Sequence, residues 1–210
     1  GQSFKRAKGF FDVVAYTGTG ANTTINHNLG VVPEMIWVKK RSNSSEWNVY
    51  SSDATDYMTL NSTNQTQDDN TYWNDTAPTT TLFTIGTGNN NDSGATYVSY
   101  LFATLANVSK VGSYTGNGTT QTIDCGFTTG ARFVLIKRTD SAGDWYFWDV
   151  LRGIVAGNDP HLSLNTTAAE VTTDDSIDPD TSGFIVNQNA TTNINVTSAT
   201  YIYYSIATPL

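Results

Sequence analysis

Few titratable groups are available for chemistry in this chain. Histidine occurs twice, at His27 and His161, and cysteine once, at Cys125. A catalytic base or nucleophile needs such a group beside an orienting partner. His27 precedes Leu29-Gly30, where a turn is expected, and reads as a structural turn histidine rather than a ligand or base. No Gly-x-Ser-x-Gly pattern marks a nucleophile elbow. Carboxylates are densest at Asp174, Asp175, Asp178 and Asp180. Oxygen donors at that spacing could hold Ca²⁺. The EF-hand pattern is missing, however, and Pro179 among aspartates suits turns closed by side-chain hydrogen bonds. A lone cysteine excludes an intrachain disulfide and a thiolate zinc site. No catalytic residue, no metal and no cofactor is expected.

Aromatic residues, 12% of the chain, are the better lead for binding, because flat rings offer apolar faces to sugars. Tyr72-Trp73 stands in a polar stretch, with Asp68-Asp69-Asn70 before it and Asn74-Asp75 after it. Tyr72, Trp73 and Asp75 are therefore candidates for receptor or glycan contact, with anchoring of the loop to the core as the alternative. Asn89-Asn90-Asn91-Asp92 reads as an exposed, mobile hairpin tip.

These residues must be positioned by strands. The chain repeats itself: Tyr16-Thr17-Gly18-Thr19-Gly20 returns as Tyr114-Thr115-Gly116-Asn117-Gly118, an offset of 98. Without a gap, Met35–Lys40 then matches Phe133–Arg138, and Glu46–Tyr50 matches Asp144–Trp148. After small insertions, Leu60–Thr63 matches Leu164–Thr167, and Thr96–Tyr100 matches Thr200–Tyr204. Such self-similarity decides the architecture. The expected organisation is a lead-in over 1–8, one β repeat over 9–107 and a second over 108–210. Each copy is a series of short segments between Gly, Asn, Asp and Ser clusters, the pattern of an all-β, antiparallel, sandwich or jelly-roll-like fold. At most a turn of helix is expected, near Thr166–Glu170.

Met35–Lys40 is apolar on both alternating sets, as in a strand buried on two faces. The other repeat or a neighbouring subunit is the expected cover for its second face. The two copies also sort their aromatics. Trp47 and Trp145 match, which suggests a shared core, whereas Asn48 and Tyr50 are replaced by Tyr146 and Trp148. Tyr146 and Trp148 join the candidate receptor or glycan contacts, with packing against the other repeat or a subunit as the alternative.

The net charge of −8, from 11 basic and 19 acidic residues, argues against nucleic acid, which needs clustered cations. Charged residues are 14% of the chain against roughly 25% in ordinary soluble domains. No apolar run reaches the ~18 residues of a membrane-spanning helix, so no membrane insertion is expected. The opening Gly1–Arg6 lacks the apolar core of a secretory signal and reads as a clipped start or a domain boundary.

Lys8-Gly9-Phe10-Phe11-Asp12-Val13-Val14-Ala15-Tyr16-Thr17-Gly18-Thr19-Gly20, Leu29-Gly30-Val31-Val32-Pro33-Glu34-Met35-Ile36-Trp37-Val38-Lys39-Lys40-Arg41 and Thr96-Tyr97-Val98-Ser99-Tyr100-Leu101-Phe102-Ala103 resemble segments recurring in tail-fibre and other structural proteins of marine bacteriophages. The second copy departs at Pro33 and His27, where it has Ala131 and Cys125. The resemblance implies a non-enzymatic virion appendage module, commonly trimeric, in contact with other virion proteins and with a host-surface receptor or glycan. A purely structural role, as head decoration or fibre scaffold, is the alternative. A polysaccharide-degrading enzyme is the least supported reading. The resemblance brings no catalytic residues.

Overall fold

A computed structural model describes residues 6–209, so the opening residues of the expected lead-in lie outside the described residues. The chain divides into two compact units, Gly1–Leu60 with Thr66–Thr104, and Asn61–Gln65 with Leu105–Leu210. The short segment Asn61–Gln65, which belongs to the first copy by sequence, is part of the second unit.

Both units are antiparallel β structures. In unit 1 the main sheet runs β1 (Phe11–Thr17), β8 (Thr96–Phe102), β3 (Met35–Lys40), β4 (Trp47–Ser51), β5 (Asp56–Thr59) and β6 (Gln67–Asp68). A second, two-stranded sheet pairs β2 (Thr23–Asn26) with β7 (Leu82–Ile85). In unit 2 the main sheet runs β13 (Leu162–Ser163), β12 (Trp145–Asp149), β11 (Ala131–Arg138), β16 (Thr200–Ala207) and β9 (Ser109–Thr115). Its smaller sheet runs β10 (Thr120–Asp124), β15 (Gly183–Asn187) and β14 (Ile177–Asp180). The matching segments of the two copies therefore occupy matching places, with β1-β8-β3-β4-β5 answering to β9-β16-β11-β12-β13.

Each core lies between the two sheets of its unit. Ile36, Val38, Tyr97 and Leu101 from the main sheet meet Phe83 and Ile85 in unit 1. Val134, Ile136, Tyr201 and Tyr203 meet Ile123, Phe184 and Val186 in unit 2. The other face of β3 is also apolar: Met35 is buried, and Trp37 lies half-buried with its ring 4.7 Å from that of Phe102. The second face is thus apolar and partly covered, fully at Met35 and by half at Trp37.

The Tyr-Thr-Gly opening has a specific structural task. Tyr16 stacks on Tyr97 with centroids 4.9 Å apart, and Tyr114 stacks on Tyr201 at 4.8 Å. Their hydroxyls donate to a loop that precedes β8 or β16: Tyr16 to Asn90 O at 2.6 Å and Tyr97 to Asn89 O at 2.9 Å. In unit 2, Tyr114 donates to Ile194 O at 2.6 Å and Tyr201 to Asn193 O at 2.7 Å. Asn91 and Asn195 complete the joint, each buried and bonded to the backbone of the glycine-rich turn. At Gly18 a Cβ would lie 2.3 Å from Asp92 O, and at Gly116 2.1 Å from Val196 O, so only glycine admits the loop so close. Asn89–Asp92 is therefore no exposed tip. Asn90 and Asn91 are wholly enclosed, because their amides replace the backbone pairing that an irregular loop lacks.

The described residues form one short helix, α1 (Asn70–Trp73), rather than a turn near Thr166–Glu170. Asp69 caps it by accepting from Thr71 N at 2.9 Å, and Asn74 ends it in the left-handed region at φ 51°. At the expected place, the Thr166 hydroxyl accepts from Ala168 N and closes a turn of its own.

Candidate functional site

The five candidate contact residues do not form one site. Tyr72 and Trp73 lie on α1 and point inward. Trp73 is 1% exposed and meets Tyr50 edge-on at 5.7 Å, while Tyr72 stacks on Tyr57 at 3.7 Å. The backbone around them is tied down by Gly86 N donating to Tyr72 O at 2.8 Å and by the Asn90 amide donating to the same carbonyl at 2.9 Å. These rings pin a polar loop to the core and offer no free face to a sugar. Asp75 alone of this group is exposed, on a turn at φ 46°.

Trp148 is likewise 0% exposed and belongs to the core of unit 2. Trp145, at the shared position expected in the core, is also 0% exposed, and Trp47 is half-buried. Trp47 and Trp145 lie on the side of the sheet away from the core cluster, opposite Lys39 and Lys137 in register. The mismatched positions, Asn48/Tyr146 and Tyr50/Trp148, face inward. In β12 both alternating sets are aromatic, so polarity alone does not distinguish them.

Tyr146 differs from the rest. It is half-buried and lines a cleft of about 100 Å³ with Arg138, Asp144, Thr191, Asn193 and Tyr201, all from unit 2. β12 carries Tyr146 to this end of the sheet, β11 ends there with Arg138, and the loop before β16 supplies Thr191 and Asn193. Burial pushes the Tyr146 phenol up to about 12, with the Asp144 and Asp174 charges adding to it. It therefore stays a neutral donor, reaching Thr191 O at 3.3 Å. Arg138 forms a two-pronged pair with Asp140, at 2.9 and 3.1 Å, and that contact holds the Asp140 carboxyl below its ordinary range. Asp144 accepts from Asn165 Nδ2 at 2.8 Å and from the Ser163 hydroxyl at 3.1 Å. Rigid planar groups thus surround one ring edge. The cleft is below the roughly 300–1,000 Å³ of pockets that enclose a small molecule, and fits partial contact with a longer ligand.

Sequence reasoning missed Arg138, Asp144, Thr191 and Asn193. The signal was present in part: Tyr146 stands where the first copy has Asn48. In unit 1 the Asn48 amide crosses to Asn89 Oδ1 at 2.7 Å and ties strand to loop.

The remaining titratable groups are held by contacts within the fold. His27 is buried, accepts from Leu29 N through Nδ1 at 3.2 Å, and so donates through Nε2 to Thr79 O at 3.1 Å. Burial pushes the Cys125 thiol up to about 11, leaving no thiolate at neutral pH. Among the described residues no three metal-ligating side chains come together. Asp175 and Asp178 both accept from Asn187 Nδ2 at 2.8 Å, Asp180 closes a turn onto Ser182, and Asp174 lies 3.2 Å from His161 Nδ1. No described helix is long and apolar enough to cross a membrane.

The family described as a domain of unknown function (DUF7483) matches residues 3–209, and the chain belongs to it. No curated protein matches the chain, and neither does any solved structure.

Proposed function

We propose that the chain is a non-enzymatic module of a bacteriophage tail appendage that takes part in attachment to a host-surface glycan through the Tyr146 cleft of unit 2. The observation that carries the site is the exchange of Asn48 for Tyr146 at matching places. Both reach the loop before the last strand of their unit, Asn48 at Asn89 and Tyr146 at Thr191 O, and Tyr146 in addition lines a cleft with a half-buried ring among Arg138, Asp144 and Asn193. A half-buried aromatic ring with fixed planar donors and acceptors at its edge offers the apolar and polar contacts that a sugar makes. The virion setting rests on the resemblance of the glycine-rich and Thr96–Ala103 segments. In that setting the chain is a homotrimer among other virion proteins. Binding of the purified chain to immobilised host-surface polysaccharide, with and without Tyr146→Ala, tests the reading. Loss of binding supports it, and undiminished binding removes the cleft from the account.

The small volume of the cleft favours a second reading, a scaffold or head-decoration protein without a receptor site. Failure of the wild-type chain to bind any host surface would select it.

A further inference from the structure

The segment Asn61–Gln65 belongs to the first copy by sequence but is part of unit 2. The Thr63 carbonyl there accepts from Lys137 Nζ at 3.0 Å and from Gly143 N at 2.9 Å. Lys137 also donates to Gly143 O at 2.6 Å, is 0% exposed, and lies over the fully buried Trp145 ring at 6.0 Å. A buried ammonium needs such acceptors, because each unmet donor is costly away from water.

The same receiving groups recur in unit 1. Lys39 matches Lys137, Ser45 matches Gly143 and Trp47 matches Trp145, at the same offset of 98. Lys39 Nζ donates to Ser45 O at 2.5 Å, repeating the inner half of the arrangement. The outer half is not repeated. Among the described residues no segment matching Asn61–Gln65 enters unit 1, and Lys39 is half-buried where Lys137 is enclosed. The second copy meanwhile keeps the matching segment, Asn165-Thr166-Thr167, within unit 2, with Thr166 and Thr167 exposed. One receiving site and one inserting loop are thus left over.

We infer that chains associate one way, the Asn165–Thr167 loop of one copy docking its Thr167 carbonyl on Lys39 and the Ser45 amide of another. The occupant is a second copy because the only loop of this kind shown in this site comes from the same repeat, and the second copy carries its match. A contact between unlike surfaces builds rings or chains rather than closing on itself as a twofold dimer does. This inference does not depend on what the Tyr146 cleft binds.

Sedimentation velocity over a concentration series tests it with three proteins. Wild type is expected to form species larger than the monomer as concentration rises. Lys39→Met keeps the packed stem but removes the donor, and deletion of Thr166–Ala168 removes the loop. Each alone is expected to lose association. Mixed in equal amounts, they regain it but stop at two chains, because one retains only the loop and the other only the receiving site. That recovery also shows that both variants are folded. Wild type that stays monomeric up to its solubility limit overturns the inference, whether or not the variants fold. So do variants that associate like wild type, or a mixture that remains monomeric.

Discussion

Where β4 meets the Asn89–Asp92 loop, unit 1 places Asn48, whose amide bonds across to Asn89; at the matching place unit 2 has Tyr146 and a cleft. The joint beside them is the same in both units. Tyr16 with Tyr97 and Tyr114 with Tyr201 stack alike, donate to the same kind of loop carbonyl, and face a glycine that admits no side chain. A repeated chain can vary Asn48 into Tyr146 because the stacked tyrosines and the glycine are kept in both units. Each side chain also bonds to the loop, Asn48 at Asn89 and Tyr146 at Thr191. The fold is fixed by what the units share, and a binding role specific to one unit is expected where they part.

The strongest way to break this contrast is through Trp148. If it is core rather than contact surface, Trp148→Ala lowers the stability of unit 2 by about 3–5 kcal/mol in denaturant unfolding, and Trp73→Ala does the same to unit 1. A Trp148→Ala chain as stable as wild type would return that residue to the surface. Next come the shared glycines. Gly18→Ala and Gly116→Ala each drive a methyl group against a backbone carbonyl and are expected to cost about 1–3 kcal/mol, alike in the two units. A large effect in one and none in the other would break the equivalence.

A smaller and unit-specific effect is expected with pH. Burial raises the Asp159 carboxyl from 3.8 to about 7, so between those values the folded chain keeps a proton that the unfolded chain has lost. Unit 2 accordingly loses stability as pH rises across that window, and Asp159→Asn flattens the loss. Burial lowers the Lys137 ammonium from 10.5 to about 8, the opposite case. There the unfolded chain holds the proton longer, so stability rises with pH from about 8 toward 10.5, and Lys137→Met removes that rise. Thermal melts at fixed ionic strength across the range measure both.

Much of the architecture was legible because repetition exposes it. The Tyr-Thr-Gly opening, the strand Met35–Lys40 and its match Phe133–Arg138 all take equivalent places. Three things were hidden. Strand β12 is aromatic on both alternating sets, Trp145 and Phe147 against Tyr146 and Trp148, so the sequence left contact surface and packing both open for Trp148, which lies in the core of unit 2. Asn90 and Asn91 read as an exposed turn by residue type, although tyrosine hydroxyls and backbone groups from distant strands bury them. Tyr72-Trp73 left glycan contact and anchoring to the core both open because its neighbours are polar, and those neighbours cap a helical turn that swings both rings inward. Each concerns long-range partners, which local composition does not carry.

The most direct measurement replaces the tyrosine with the residue that unit 1 uses. Wild type, Tyr146→Asn and Asn48→Tyr are compared for binding to immobilised host-surface polysaccharide, with unfolding curves run in parallel. The account predicts that Tyr146→Asn leaves unit 2 folded and abolishes binding, while Asn48→Tyr leaves binding unchanged. A folded Tyr146→Asn chain that binds as wild type does would contradict it.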